Sequence, residues 1–171
     1  ALRGDVPALR YWLRAPRDAS GRTGAAEVCA GEAAPNGWGG GLLHTAVFNG
    51  QVESASVLLE ASGSRAPDLL AAKDQLLGGT PLHEAAAAGH CQGIRLLLSA
   101  ARAQRGGQGA LELLASTDRY GETPLHWAAR LGHARAIKEL LEGAQGPKAS
   151  DLAMAQSLDG STPLHRAARG G

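Results

Sequence analysis

The chain is poor in the residues that usually mark secreted, membrane or aromatic-cored proteins. It has only two cysteines, Cys29 and Cys91, and aromatic residues make up 4% of its 171 positions. Two cysteines cannot supply the disulfide framework of a small secreted domain, so we expect a reducing, intracellular location in the cytoplasm. No run of about 18 apolar residues occurs, and we therefore expect no membrane insertion within this segment.

The charges of the chain nearly cancel. Seventeen basic and sixteen acidic residues give a formal net charge of +1. Proteins that bind DNA or RNA carry clustered lysine and arginine to neutralise phosphates, so this balance predicts no nucleic-acid partner. What the chain has in abundance is apolar residues, 44% of the total and mostly alanine and leucine. This composition suits thin helices that pack closely.

A four-residue motif, Thr-Pro-Leu-His, occurs three times, and a degraded copy at 41–44 precedes it. Threonine is a good helix N-cap and proline fits the first helical position, so each motif predicts a helix start. Each of the first two complete copies runs on to a Gly-His pair, whose glycine suits a helix end, and then to apolar residues at helical spacing. The frame predicts a repeated helix–turn–helix unit. The motif residues are Thr80, Pro81, Leu82, His83, Thr123, Pro124, Leu125, His126, Thr162, Pro163, Leu164 and His165.

This frame resembles the ankyrin repeat over nearly the whole chain. The resemblance implies an all-α helical solenoid with short β-hairpin-like turns and long inserts between repeats. Because the chain starts and stops inside repeats, we expect it to be part of a longer protein. We expect one ankyrin-repeat domain over 1–171, with a half repeat at 1–13, a long insert at 14–41, repeats at about 36–78, 79–121 and 122–160, and a partial repeat at 161–171.

The repeats are longer than the family's usual period. The motif histidines are spaced 39, 43 and 39 residues apart, against about 33 for ankyrin repeats. The extra residues follow the second helix of each repeat, and in three inserts a leucine (Leu70, Leu113 or Leu152) lies 13 residues before the next histidine. We expect an added helical turn that tucks this leucine under the stack, and a short flexible stretch from Arg102 to Gly109.

No residue of the chain is predicted to be catalytic. Four of the six histidines occupy the motif and two the Gly-His pair, so repeat position explains every one. We interpret the motif histidines as bonding the threonine hydroxyl and nearby backbone to stabilise the turn between repeats. The seven-residue spacing of His83 and His90 matches no zinc motif, and no Gly-x-Ser-x-Gly elbow occurs. We expect no metal, no cofactor and no enzyme activity.

The resemblance implies that a partner would meet the concave side, which hairpin tips and first helices form. Arginine and aromatic residues are frequent interface anchors, so Arg119, Tyr120, Arg130 and Arg169 are expected to form a basic, aromatic strip for an acidic partner. The candidate contact residues are Trp38, Phe48, Arg119, Tyr120, Glu122, Trp127, Arg130, Leu131, Arg166 and Arg169.

Alternatives remain for several of these residues. Trp127 lies where the family often places a packing leucine, which predicts partial burial, and Arg130 and Arg169 can belong to an ordinary solvated helix face. The inserts are the rival docking surface. The predicted function is a non-catalytic protein–protein interaction scaffold, as a binding or structural subunit of a larger assembly. The alternative is a regulatory or targeting domain of a larger enzyme or channel.

Overall fold

The computed structural model describes residue 7 and residues 41–144 and 147–170. Within these residues the regular structure is helical, without β-strands, which confirms the predicted all-α solenoid. The predictions for the half repeat at 1–13 (apart from Pro7), for the insert as far as residue 40 and for Trp38 lie outside the described residues. The helices are α1 (Leu42–Phe48), α2 (Val52–Ser62), α3 (Ala66–Ala71), α4 (Pro81–Ala87), α5 (Cys91–Leu114), α6 (Pro124–Arg130), α7 (Ala134–Ala144), α8 (Pro147–Ala153) and α9 (Pro163–Gly170).

The repeated motif starts a short helix each time, as its residue types predict. Thr80 caps α4, Pro81 takes the first helical position, and the threonine hydroxyl and His83 satisfy each other's backbone N–H groups in a capping box. The same arrangement starts α6. The turn that follows contains Gly89 after α4 and Gly132 after α6, with φ of 68° and 70°. These angles lie in the left-handed region that glycine tolerates at a helix end.

Successive helix pairs stack in chain order. α1, α4, α6 and α9 form one layer, and α2, α5 and α7 form the layer behind it. The core between them is mainly leucine and alanine: Leu82 and Ala85 of α4, Leu97 of α5 and Leu140 of α7 are fully buried. Alanine at such positions lets neighbouring helices approach closely, as the alanine-rich composition predicts.

Each of the three inserts that contain Leu70, Leu113 and Leu152 adds a third helical segment to its repeat. The segments are α3, the last turns of α5, and α8, and their leucines Leu70, Leu113 and Leu152 are all buried. The prediction of an added helical turn with one leucine under the stack is therefore confirmed.

The prediction of a flexible stretch from Arg102 to Gly109 is wrong, because the structure places helical turns on both sides of one break. The backbone leaves helical geometry at Arg105 and Gly106, where Gly106 has φ of 63°. A Cβ added to Gly109 would lie 2.6 Å from the carbonyl oxygen of Ala101. Residues eight apart in a straight helix are about 12 Å apart, so the chain doubles back here.

Candidate interaction surface

The motif histidines join consecutive repeats. The His83 Nδ1 accepts a hydrogen bond from the backbone N–H of Thr80 at 3.0 Å and lies 3.0 Å from the threonine hydroxyl. Its Nε2 donates to the backbone carbonyl of Glu122 in the next repeat at 3.0 Å. His126 makes the equivalent bond to the carbonyl of Ser161, also at 3.0 Å. This confirms the structural role predicted for these histidines.

Burial keeps these imidazoles neutral. It lowers the pKa of His83 to about 4, and the carbonyl of Glu122 opposes this only in part. The pKa values of His44 and His126 are lowered too, and again burial is the main cause. Within the described ranges, no group of three or more histidine, cysteine, aspartate or glutamate side chains is placed to hold a metal ion.

The hairpin tips form a connected row along one edge of the stack. The carboxylate of Asp118 accepts the backbone N–H of Tyr120 at 2.8 Å and so orders its tip. The N–H of Arg119 donates to the carbonyl of Leu77 in the preceding tip at 2.9 Å. The carbonyl of Tyr120 accepts the N–H of Leu158 from the following tip at 2.9 Å. These bonds fix the positions of neighbouring tips relative to one another.

Glu122 lies beneath the surface and holds two arginines. Its side chain is only 2% exposed. Its Oε2 accepts a hydrogen bond from Arg130 at 3.0 Å, and its Oε1 contacts the Nε of Arg166. The second contact is an ion pair without hydrogen-bond geometry, because the Nε–H does not point along it. Arg166 also reaches Asp159 at 3.1 Å, so this network spans α6, α9 and the last hairpin.

Trp127 packs between repeats and supports the surface from below. It is 4% exposed, and its indole N–H donates to the carboxylate of Asp118 at 2.9 Å. Its ring meets the imidazole of His83 edge-on, with centroids 5.2 Å apart. The guanidinium of Arg130 lies over the indole, 5.7 Å from its centroid, which is cation–π geometry. Trp127 is thus more deeply buried than the half-buried alternative predicts.

Of the other predicted contact residues, Arg166 is largely shielded, with its side chain 17% exposed, whereas those on the tips and at the ends of α6 and α9 are exposed. Tyr120 is 58% exposed, and Arg119 donates from its guanidinium to the carbonyl of Leu76 at 2.8 Å. Leu131 is 50% exposed at the end of α6. The side chain of Arg169 is 70% exposed and lies 3.9 Å from Asp159. The structure thus groups the predicted residues on the tips and on α6 and α9.

Phe48 is the exception within the described residues. It is exposed at the end of α1, and α4 lies between α1 and α6. It therefore stands apart from the arginines.

Comparison with known proteins settles the kind of repeat. The family model described as ankyrin repeats (3 copies) matches residues 43–151 and 103–171. The chain belongs to the ankyrin repeat family. A chain in the crystal structure of the yeast ribosomal protein Rps3 in complex with its chaperone Yar1 is similar, with a TM-score of 0.65 and 23% identity over 75% of this chain and 82% of that chain. At this identity the likeness shows the fold alone. No curated protein matches the chain.

Two grooves lie between the third helical segments of this ankyrin domain. The first, of about 480 Å³, runs between α3 and the end of α5, and the second, of about 430 Å³, between the end of α5 and α8. Both signs of charge line each groove: Lys73 and Glu112 in the first, Lys148 and Asp151 in the second. Lys73 donates to the carbonyl of Thr117 at 2.7 Å, which ties the first groove to the next hairpin.

Glu84 is a residue that the repeat frame places on the concave side but that is not among the candidate contact residues. Glu84 follows the motif histidine in α4, as Trp127 does in α6 and Arg166 in α9. It is half-buried, and burial, followed by the nearby carboxylate of Asp74, raises its pKa to about 7. The sequence signal for Glu84 is that this position carries a glutamate here, but tryptophan and arginine in the next two repeats.

The described part of the chain has no helix both long and apolar enough to cross a membrane.

Proposed function

We propose that this ankyrin domain is a non-catalytic protein–protein interaction module that serves as a binding or structural subunit of a larger assembly. Ankyrin stacks expose broad surfaces instead of enclosed reaction sites, which supports this role. The buried motif histidines are committed to hydrogen bonds between repeats, so they are not available for proton transfer. The intracellular, cytoplasmic location stays a prediction.

The partner binds, in this proposal, on the concave side over α6, α9 and the adjoining tip. The exposed contact residues are Arg119, Tyr120, Arg130, Leu131 and Arg169. We refer to them as the arginine surface.

One observation carries the proposal: Arg130 is held in place before any partner arrives. Glu122 binds its guanidinium from below, and the indole of Trp127 lies under it. The side chain of Arg130 is nevertheless 43% exposed. Ordering a long side chain in advance removes part of the entropy cost of binding, which makes such a residue a suitable interface anchor.

The charge of the arginine surface favours an acidic partner. Arg130, Arg166 and Arg169 face the two carboxylates of Glu122 and Asp159. The carboxylate of Glu122 is buried, whereas the guanidinium of Arg169 is largely exposed. Asp159 is exposed as well, but Arg119, Arg130 and Arg169 outnumber it at the surface. A partner therefore meets an excess of positive charge, and complementary charge directs orientation and association rate.

The experiment is affinity capture from cell extract with a matched pair of triple variants, followed by mass spectrometry. The test variant carries Arg119→Glu, Arg130→Glu and Arg169→Glu. The control carries Arg65→Glu, Arg135→Glu and Lys138→Glu, which change the net charge equally but lie directly before α3 and on α7. We expect proteins bound by the wild type and by the control to be lost from the test variant. Equal capture by both variants would contradict the proposed surface.

A further inference from the structure

Glu84 belongs to a row of equivalent residues across the concave side. The position after each motif histidine carries Thr45 in α1, Glu84 in α4, Trp127 in α6 and Arg166 in α9. Because the first helices stack side by side, these positions follow one another from repeat to repeat. The row therefore passes from a carboxylate on α4 to the indole on α6, over which Arg130 lies, and then to a guanidinium on α9.

Glu84 differs from the other shielded carboxylates of the domain in lacking a partner. Asp74 and Asp118 accept backbone N–H groups, and Glu122 binds arginines. Across the described residues, the carboxylate of Glu84 makes neither a hydrogen bond nor an ion pair. A partly desolvated carboxylate without a counter-charge is costly, and a cation brought by a ligand would remove that cost.

The surroundings of Glu84 leave room for such a cation. Ala87 at the end of α4 and Ala88 directly after it are partly exposed and carry only methyl side chains. On the neighbouring helix the equivalent position carries the apolar indole of Trp127, which packs on His83 and against Gly79. A carboxylate beside small and apolar groups suits the long, partly apolar side chain of lysine or arginine.

We propose that Glu84 binds a lysine or arginine side chain of an extended protein segment whose acidic side chain reaches the arginine surface. This inference rests on the proposed function and adds the orientation of the partner. The segment crosses α4, α6 and α9 with its positive end over Glu84.

The stack sets the spacing of the two charges along the segment. Adjacent packed helices are about 10 Å apart, and an extended chain advances about 3.3 Å per residue. The acidic residue should therefore follow or precede the basic one by about three residues if it meets Arg130 on α6. It should lie about six residues away if it meets Arg169 on α9.

The test is selection of a random dodecapeptide display library on the wild-type domain and on two variants. Glu84→Gln removes the carboxylate and keeps the size of the side chain. Glu142→Gln removes an exposed carboxylate on α7 and serves as the control. We expect the wild type and the control to select peptides with lysine or arginine about three to six residues from aspartate or glutamate. Glu84→Gln should retain the acidic preference and lose the basic one.

Two outcomes separate the inference from the proposed function. If the wild type selects acidic peptides without a paired basic residue, or if Glu84→Gln keeps that basic residue, the inference is overturned and the arginine surface stands. If the selected peptides bind the Arg119→Glu, Arg130→Glu and Arg169→Glu triple variant with the same affinity as the wild type, the proposed function is contradicted too.

Affinity of one selected peptide then tests the contact itself. Replacing its basic residue by glutamine should weaken binding to the wild type about tenfold and leave binding to Glu84→Gln unchanged. Equal weakening on both domains would overturn the contact between Glu84 and the peptide. Because Glu84→Gln removes an unpaired charge, the variant should fold at least as well as the wild type.

Discussion

The Nε2 of His83 donates a hydrogen bond to the backbone carbonyl of Glu122 at 3.0 Å and so joins two consecutive repeats. The side chain of the same Glu122 binds Arg130 and Arg166. One residue thus connects the internal order of the stack with the position of its surface arginines. The repeats beneath this surface are hydrogen-bonded to each other, which fixes their relative positions.

The neutral motif histidines predict that the domain loses stability on mild acidification. Burial lowers the pKa of His83 to about 4 in the folded state, against about 6.5 in an unfolded chain. Between these two pKa values the unfolded state binds a proton that the folded state does not. The contribution of neutral His83 to the unfolding free energy is therefore complete above about pH 6.5 and is lost as the pH falls towards 4. His83 alone should contribute about 3 kcal/mol, and His44 and His126 act in the same direction.

Urea unfolding between pH 7 and pH 4.5 measures this effect. The wild type should lose unfolding free energy across the range, and His83→Gln should show a smaller slope. A slope unchanged by His83→Gln would contradict the assignment of the neutral imidazole.

Glu84 should have the opposite pH dependence. Its raised folded pKa of about 7 means that the folded state binds the extra proton between pH 4.5 and 7, so stability is lost as the pH rises through this window. Glu84→Gln should therefore stabilise the domain at pH 8 by about 1 kcal/mol, after allowance for solvent screening of a half-buried group. At pH 4 the two proteins should unfold at nearly the same urea concentration. Glu142→Gln, as the control, should change little at either pH.

Gly89 and Gly132 form a matched pair that tests contact between repeats. Both have positive φ, so alanine costs about 1 kcal/mol at either position. A Cβ at Gly89 would also lie 2.9 Å from His133 of the next repeat, whereas a Cβ at Gly132 meets nothing within 4 Å. We expect Gly89→Ala to lower the unfolding free energy by about 1 to 2 kcal/mol more than Gly132→Ala. Equal losses in thermal or urea unfolding would show that the His133 contact adds nothing.

The doubled-back end of α5 offers a second matched pair. A Cβ at Gly109 would overlap the carbonyl of Ala101, whereas at Gly107 it meets nothing within 4 Å. Gly107→Ala should therefore stabilise the helical turn by up to about 1 kcal/mol, because alanine is the better helix former. Gly109→Ala should destabilise the domain by about 2 kcal/mol or more in urea unfolding. If both variants gained stability, the turns on either side of Gly106 would not pack against each other.

The repeat frame could be predicted from sequence because its signals are local. Thr80 and Pro81 alone set the start of a helix. Buried Leu113 and the equivalent leucines of the other two inserts lie at a constant distance before their motif histidines. The break in α5 was not predicted because a glycine at position 106 is equally compatible with a flexible segment and with a reversal of the chain direction. Only the packing of Gly109 on Ala101 decides between them.

The surface chemistry was harder to predict because it depends on which repeats meet. Glu122 was expected at an exposed tip, but Arg130 and Arg166 converge on it only after α6 and α9 stack. The isolation of Glu84 likewise depends on the absence of a counter-charge in the folded neighbourhood. Sequence supplied the charges, and the three-dimensional arrangement decided their pairing.

The arginine surface, and not either insert groove, is the proposed site of partner binding. Hydrogen–deuterium exchange of the domain with and without a captured partner measures this most directly. We predict slowed exchange at residues 119–131 and 163–170, with the insert segments 66–73 and 147–156 unchanged. Slowed exchange confined to the insert segments would contradict the account.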